Sequence, residues 1–201
     1  MFKLISTGWL AAVVAFAGPA SAEVPVSAET RQMLQWVMAS RDNQAMPFAI
    51  MDKKSARFFV FDGRGRMVGA APALIGAAPG DHAVPGVGSR PLSQMKPEER
   101  TTPAGRFVSE PGRNLTGEDI VWVDYEAAFA IHRVRPGPSR ERRSERLASS
   151  NVADHRVSLG CIVVDPAFYE AAVLPTLGRQ RGVVYVLPET QPAKTLFAGL
   201  G

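Results

Sequence analysis

Residues 154–166 have the sequence DHRVSLGCIVVDP, and this stretch decides the fold more than any other. Gly160 stands directly before Cys161, and a short apolar run typical of a buried strand follows. An Asp-Pro pair then supplies an N-cap and a first helical residue, so a helix is predicted over residues 165–178. A glycine at this point allows an unusual backbone conformation and lets a substrate approach the thiol closely.

The rest of the chain alternates between apolar strands and turns. It contains 18 glycines and 16 prolines, which favours many turns and a β-rich α+β fold over a helix bundle. A first helix is predicted over residues 27–41, with Ser27 as its cap. Strands are predicted in a hairpin over 57–75 and at 101–112, 119–124, 127–134 and 182–187.

The first 22 residues have the three parts of a secretory signal peptide. A positive start at residues 1–3 precedes an apolar run over 4–17, and Ala20-Ser21-Ala22 gives a small-residue cleavage site. A membrane anchor is the alternative, but the run is short for a bilayer span. We therefore expect cleavage after Ala22, no stable membrane anchor afterwards, and a periplasmic or secreted protein of the cell envelope.

The charge and the cysteine count limit the function further. The formal net charge is +4, and for an exported protein this favours the cell wall or a membrane surface as partner, not nucleic acid. A single cysteine cannot form an internal disulfide. Cys161 is therefore either a small hydrophobic residue of the core or a catalytic nucleophile.

A cysteine nucleophile needs a base or a cation nearby, because the thiolate is the reactive form. The chain has three histidines. His82 lies in a loop and is given no role, whereas His132 lies near the end of a predicted strand and His155 lies six residues before Cys161. Distance along the chain excludes neither of the last two as base. Scattered histidines with one cysteine do not form a metal-ligand set, so no metal and no cofactor are expected.

Three motifs in this order resemble the catalytic domain of L,D-transpeptidases. Thr102–Phe107 is similar to the Thr-Pro-x-Gly-x-Phe segment of that family, His132 follows, and Ser158–Ile162 is similar to its Ser/Thr-His-Gly-Cys motif. The resemblance covers residues 56–188. It implies a mixed β-sandwich or barrel in which a helix follows the strand of the catalytic cysteine.

The resemblance also implies the reaction and its residues. Cys161 would attack a peptide carbonyl next to a D-amino acid, and His132 would take the thiol proton and return it to the leaving D-alanine. The amides of Gly160 and Cys161 would hold the oxyanion, and Ser158 would shape the loop. An amine of a second peptidoglycan stem peptide would then capture the thioester. Arg133 and His155 are candidate substrate contacts, and His155 is the rival base.

The N-terminal pattern and the resemblance together divide the chain into four parts. The expected division is signal peptide 1–22, leader helix 23–50, catalytic domain 51–188 and a loosely attached tail 189–201.

Leu159 and Val163 depart from the family pattern, which usually has His and Arg or Asn there. The alternatives are an L,D-carboxypeptidase that uses water, or a non-catalytic wall-binding relative. The charged segment 135–156 is predicted to be a solvated helix or loop, with a lid or wall-binding role as the alternative.

Overall fold

The computed structural model describes residues 25–200, so the predicted signal peptide lies outside the described residues. Helix α1 (Ala28–Ser40) begins after Ser27, whose hydroxyl accepts the N–H of Thr30 at 3.0 Å. This side-chain cap satisfies one of the amides that a helix start leaves free. The predicted helix over residues 27–41 is therefore confirmed, and it ends at Arg41 in the left-handed conformation.

Nine strands form one mixed sheet. They are β1 (Phe48–Asp52), β2 (Arg57–Phe61), β3 (Met67–Gly76), β4 (Gly105–Arg113), β5 (Asp119–Asp124), β6 (Phe129–Arg133), β7 (Arg156–Ser158), β8 (Ile162–Val164) and β9 (Gly182–Leu187). The order is β2-β1-β9-β4-β5-β6-β8-β3, and β3 pairs again with β2, which closes a barrel of eight strands. Strand β7 adds to β3 outside this ring. The predicted β-rich α+β barrel is confirmed.

The helical segments after the cysteine strand are more irregular than the sequence predicts. Asp165 accepts hydrogen bonds from the next two amides and begins α3 (Pro166–Phe168). A π-helical turn, Tyr169–Val173, separates it from α4 (Leu174–Thr176). The earlier α2 (Arg143–Leu147) lies in the charged segment. No helix among residues 25–200 is both long enough and apolar enough to cross a membrane.

Apolar side chains form one cluster inside the barrel and two outside it. The interior cluster takes residues from the barrel strands and from the helical turn after α3. A second cluster lies between α1 and the outer faces of β1, β2 and β9. A third, small cluster joins Leu74, Val163 and Leu147 of α2, so the charged segment packs on the outer face of β3 and β8.

Besides the irregular helical segment, the structure differs from the sequence predictions at two further places. Phe48–Asp52 is a strand, although the sequence predicted none there, and it lies between β2 and β9. The residues after β9 are attached, because Phe197 is 2% exposed and packs in the cluster under α1. The N-terminal helix and the C-terminal residues thus cover the same side of the barrel.

Candidate active site

His132 lies on β6, and Cys161 stands immediately before β8, the parallel neighbour of β6. The register pairs Ile131 with Ile162 and His132 with Val163. Opposite residues of a strand pair share a face and successive residues alternate, so the two isoleucines enter the barrel and His132 and Val163 point outward. Cys161 precedes Val163 by two residues and packs in the same outer cluster. The pairing of β6 with β8 therefore places the two candidate residues on the same side of the sheet, two residues apart along the register.

The tautomer of His132 follows from its contact with the backbone. Its Nδ1 lies 2.8 Å from the carbonyl oxygen of Arg133. A carbonyl only accepts hydrogen bonds, so Nδ1 carries the proton and Nε2 of the neutral ring has the free lone pair. Burial lowers the pKa of His132 and thereby favours this neutral form. His132 is therefore prepared to accept a proton at Nε2.

Cys161 is half-buried, and its thiol has a backbone partner. The Sγ atom donates to the carbonyl oxygen of Ala128 at 3.6 Å, whereas no hydrogen bond joins Cys161 and His132 within the described chain. Burial raises the pKa of the Cys161 thiol. The N–H of Ala130 and the positive charge of Arg135 lower this pKa, but their effect is smaller than that of burial. The resting pair is therefore a thiol and a neutral imidazole, not a thiolate–imidazolium pair.

This neutral pair predicts the pH dependence of thiol alkylation. We expect iodoacetamide to modify Cys161 slowly at neutral pH, with a midpoint above the ordinary thiol pKa of about 8.5, because burial disfavours the thiolate. Intact-mass measurements across pH give the midpoint, and the same chain unfolded in urea is the reference. A midpoint below that of the unfolded chain would show a stabilised thiolate and contradict the prediction.

A network of hydrogen bonds holds the loop before Cys161. Ser158 Oγ donates to the carbonyl of Cys161 at 2.7 Å and accepts the N–H of Gly160 at 3.1 Å. Gly160 has φ +131°, and a Cβ there would lie 2.9 Å from the carbonyl oxygen of Thr101, so only glycine fits. The Gly160 amide is therefore occupied by Ser158, which leaves the Cys161 amide as the better candidate oxyanion donor.

Thr102, in the first of the three motifs, contacts the loop before Cys161 (the cysteine loop) directly. Its Oγ1 donates to the carbonyl of Gly160 at 2.8 Å and accepts the N–H of Gly76 at 2.8 Å. Beneath it, the buried Lys53 donates to the carbonyl of Thr102 at 2.9 Å and to Asp81 Oδ1 at 2.8 Å. Thr102 thus holds the cysteine loop by a hydrogen bond, and the lysine of the buried Lys53–Asp81 ion pair in turn holds Thr102 by a hydrogen bond.

Thr102→Val is expected to lower the free energy of unfolding by about 1–3 kcal/mol, because it leaves a buried N–H and a buried carbonyl without partners. Urea unfolding measures the change. Thr101→Val is the matched control, since no hydrogen bond of the Thr101 side chain occurs within residues 25–200. Equal destabilisation by both variants would show that the Thr102 hydrogen bonds contribute little.

The two candidate substrate contacts are occupied by the protein itself. Arg133 pairs with Glu170, donates to the carbonyl of Asp119 at 2.8 Å, and stacks 4.1 Å from the centre of the Tyr169 ring. His155 is 4% exposed, and its Nδ1 and Nε2 lie 3.1 and 3.0 Å from backbone carbonyls. The geometry therefore supports neither as a substrate contact, and it leaves His155 without a free nitrogen to act as base.

Three residues near the site were not singled out from the sequence. Lys53 and Asp81 form the ion pair under the cysteine loop, with both side chains 0% exposed. Arg135 follows β6, and its charge influences the pKa values of both His132 and Cys161. In the sequence, the only indication of Arg135 was that the segment after His132 is rich in charged residues. Across the described ranges, no group of three or more His, Cys, Asp or Glu is arranged to hold a metal ion.

Solved structures of L,D-transpeptidases are similar to this chain. The enzyme from Enterococcus faecium is 16% identical, with a TM-score of 0.40, over 71% of this chain and 50% of that chain. The one from Mycobacterium smegmatis is 20% identical, with a TM-score of 0.40, over 71% and 58%. The one from Xylanimonas cellulosilytica is 17% identical, with a TM-score of 0.42, over 80% and 70%. No protein-family model and no curated protein matches the chain.

Proposed function

We propose that this protein is an exported cysteine acyltransferase of the L,D-transpeptidase kind that acts on peptidoglycan stem peptides. The observation that carries the proposal is the placement of His132 on β6 and of Cys161 directly before β8 on one side of the sheet, with Nδ1 of His132 held by the carbonyl of Arg133. The three ordered motifs support the substrate class. The N-terminal pattern of residues 1–22 supports export.

In the proposed first half-reaction, Cys161 attacks the donor carbonyl while its proton moves to Nε2 of His132. When the donor peptide binds, the Cys161 thiol gives up its hydrogen bond to the carbonyl of Ala128 and rotates toward the imidazole ring of His132. The Cys161 amide stabilises the negative oxygen of the tetrahedral intermediate. The carbon–nitrogen bond then breaks, the proton on Nε2 passes to the departing amine of D-alanine, and a thioester remains on Cys161.

In the second half-reaction, an amine of another stem peptide attacks the thioester. His132 takes the amine proton and returns it to the sulfur as the thioester bond breaks, so the enzyme is regenerated. Water in place of the amine would give a carboxypeptidase, which is the second candidate.

The role of His132 is tested by product analysis. The full chain, His132→Ala and His82→Ala are each incubated with purified disaccharide-tetrapeptide, and the products are separated and weighed. We expect a cross-linked dimer from the wild-type protein and from His82→Ala, because His82 is an exposed loop residue. For His132→Ala we expect a rate lower by about 10²–10⁴-fold.

Other outcomes would change the assignment. Tripeptide without dimer would show hydrolysis and replace the transferase by the carboxypeptidase. Unchanged substrate with the wild-type protein would contradict both enzymes and favour the non-catalytic wall-binding relative. If His132→Ala were as active as His82→Ala, His132 would not be the base of the reaction.

A further inference from the structure

An exposed aromatic pair lies on the outer face of β4 and β5, and it belongs neither to the core nor to the proposed mechanism. Trp122 of β5 pairs with Glu110 of β4 in the register. Val121 and Val123 enter the barrel interior, so Trp122 between them points outward. Tyr125, in the turn after β5, stacks on the indole with ring centres 4.6 Å apart and ring planes 28° apart. We call Trp122 and Tyr125 the aromatic shelf.

The aromatic shelf lies flat on the sheet and is open to solvent. A Cβ at Gly112 would lie 2.4 Å from Cδ1 of Trp122, so a glycine at this position lets the indole lie against the strand. Tyr125 is 59% exposed, although a ring gains free energy by burial. Neither the indole N–H nor the Tyr125 hydroxyl makes a hydrogen bond within residues 25–200. Exposed aromatic groups of this kind are typical of a binding surface.

Two cavities adjoin Tyr125. One, of about 390 Å³, lies over the outer face of β4 and β5, and its lining consists of Val108, Glu110 and residues 122–126. The other, of about 380 Å³, lies between the turn after β5 and the loop of residues 86–89. Each has the size of a ligand site, which is about 300–1,000 Å³. Because Tyr125 and Glu126 line both cavities, the ligand that fits them is elongated and consists of more than one unit.

The charged groups around the aromatic shelf are hydrogen-bond acceptors. Glu110, Asp124 and Glu126 line the first cavity. Among the described residues, only Glu110 of these three has a basic partner, Arg181 at 3.4 Å on the exposed surface. Carboxylates accept hydrogen bonds and repel anions. The surface therefore excludes nucleic acid and other polyanions, and it suits a ligand rich in hydroxyl and amide donors.

The aromatic shelf is connected to the candidate active site through one turn. Residues 125–128 join β5 to β6, and the N–H of Ala128 donates to the carbonyl of Tyr125 at 3.2 Å. The Cα atoms at the two ends of such a turn are less than about 7 Å apart. The carbonyl of Ala128 accepts the Cys161 thiol at 3.6 Å. The aromatic shelf and the thiol are therefore at opposite ends of the same four residues.

We propose that the aromatic shelf binds the sugar part of the substrate, a neutral chain of N-acetylated pyranose rings, an inference that rests on the proposed function for the identity of the chain. One side of a pyranose ring carries C–H groups that pack on the negative face of an aromatic ring. The hydroxyl and acetamide N–H groups at the edge of the sugar donate to the carboxylates. A chain that passes Tyr125 places successive rings in the two cavities.

Direct binding tests the proposal without turnover. The full chain is titrated by calorimetry with a peptide-free tetramer of β-1,4-linked N-acetylglucosamine, which is a neutral saccharide. We expect the wild-type protein to bind it and Tyr125→Ala to bind it about tenfold more weakly, because the variant loses the stacking contact. Tyr125→Phe keeps the ring and loses only the hydroxyl, so its affinity should stay within about threefold of the wild type.

Leu115→Ala is the matched control for Tyr125→Ala. Leu115 is a fully exposed apolar residue in the loop at the other end of the β4–β5 hairpin, and it lines neither cavity. Its loss should leave the affinity unchanged. Both side chains are exposed, so both variants are expected to fold, and circular dichroism checks this. Absence of binding by the wild-type protein, or equal affinities of the two variants, would overturn the proposal.

Salt and a competing cation distinguish a saccharide site from an ammonium site, since carboxylates and aromatic faces also attract cations. A neutral saccharide should bind equally in about 0.05 M and about 0.5 M sodium chloride, because salt screens only charge interactions. The dication of 1,5-diaminopentane should not displace it. Displacement by the diamine, or a loss of affinity at the higher salt concentration, would show a cation site and overturn the proposal.

Turnover gives a second readout. KM is compared for disaccharide-tetrapeptide and for the same tetrapeptide without the sugar. We expect the sugar to lower KM about tenfold in the wild-type protein and in Leu115→Ala, and this advantage to disappear in Tyr125→Ala. An equal advantage in both variants would overturn the proposal. If the wild-type protein turns over neither donor, the proposed function fails, whereas calorimetry with the tetramer still decides whether the aromatic shelf binds sugar.

Discussion

Cys161→Ala is expected to abolish formation of cross-linked dimer from disaccharide-tetrapeptide, a fall in kcat on the order of 10⁶-fold. The reason is that the variant removes the only atom proposed to form the covalent intermediate, and single losses of a nucleophile in acyl-transfer enzymes have effects of this size. The structure predicts no large loss of stability, because Cys161 packs at the edge of a small apolar cluster. Quantified product by mass spectrometry against time measures the change.

Two controls separate chemistry from folding in this prediction. Circular dichroism and urea unfolding of Cys161→Ala should match those of the wild-type protein to within about 1 kcal/mol. Cys161→Ser keeps the shape of the side chain with a slightly smaller atom and should also be inactive, because a hydroxyl lacks the acidity of a thiol. Residual transfer by Cys161→Ala close to the wild-type rate would exclude Cys161 as the nucleophile.

Lys53→Met is expected to lower the free energy of unfolding by about 3–5 kcal/mol, because it leaves the buried Asp81 carboxylate without its cation, with only the hydrogen bonds from Glu189 and Thr190 remaining. The ammonium group also donates to the carbonyls of Gly80 at 2.6 Å and Thr102 at 2.9 Å, and these lose their partner. Chemical unfolding in urea measures the loss. Since Thr102 holds the cysteine loop, we also expect acyl transfer to decrease.

Lys54→Met is the matched control for this variant. Lys54 is the next residue and also pairs with an acid, Glu29, at 2.7 Å, but the two side chains are 48% and 42% exposed. Exposed pairs contribute about 0–1 kcal/mol, so the control should be nearly neutral. Equal destabilisation by the two variants would contradict the account in which burial of the Lys53–Asp81 pair makes the difference.

Much of the fold could be predicted from local patterns. The Ser27 cap, the hairpin turn and the Asp-Pro helix start are short-range features, and the structure has the corresponding elements. Strand β1 was missed because all five of its residues are buried, so the alternation that identifies a half-buried strand is absent. The attachment of the C-terminal residues was missed because Phe197 packs against a helix far away in sequence.

The candidate site could be predicted in part. A lone cysteine after glycine and an upstream histidine on a strand were visible in the sequence, but their common face depends on the parallel register of β6 and β8. Nothing in the sequence distinguishes Lys53, which is buried, from Lys54, which is exposed.

The covalent intermediate is the most direct test of the central claim that Cys161 is the nucleophile. The full chain is mixed with disaccharide-tetrapeptide, quenched in acid within the first turnovers, and weighed intact. We predict an added mass equal to the donor minus D-alanine, located on Cys161 by peptide mapping and absent from Cys161→Ala. Product formation by the wild-type protein with no such adduct on Cys161, or with the adduct on another residue, would contradict the account.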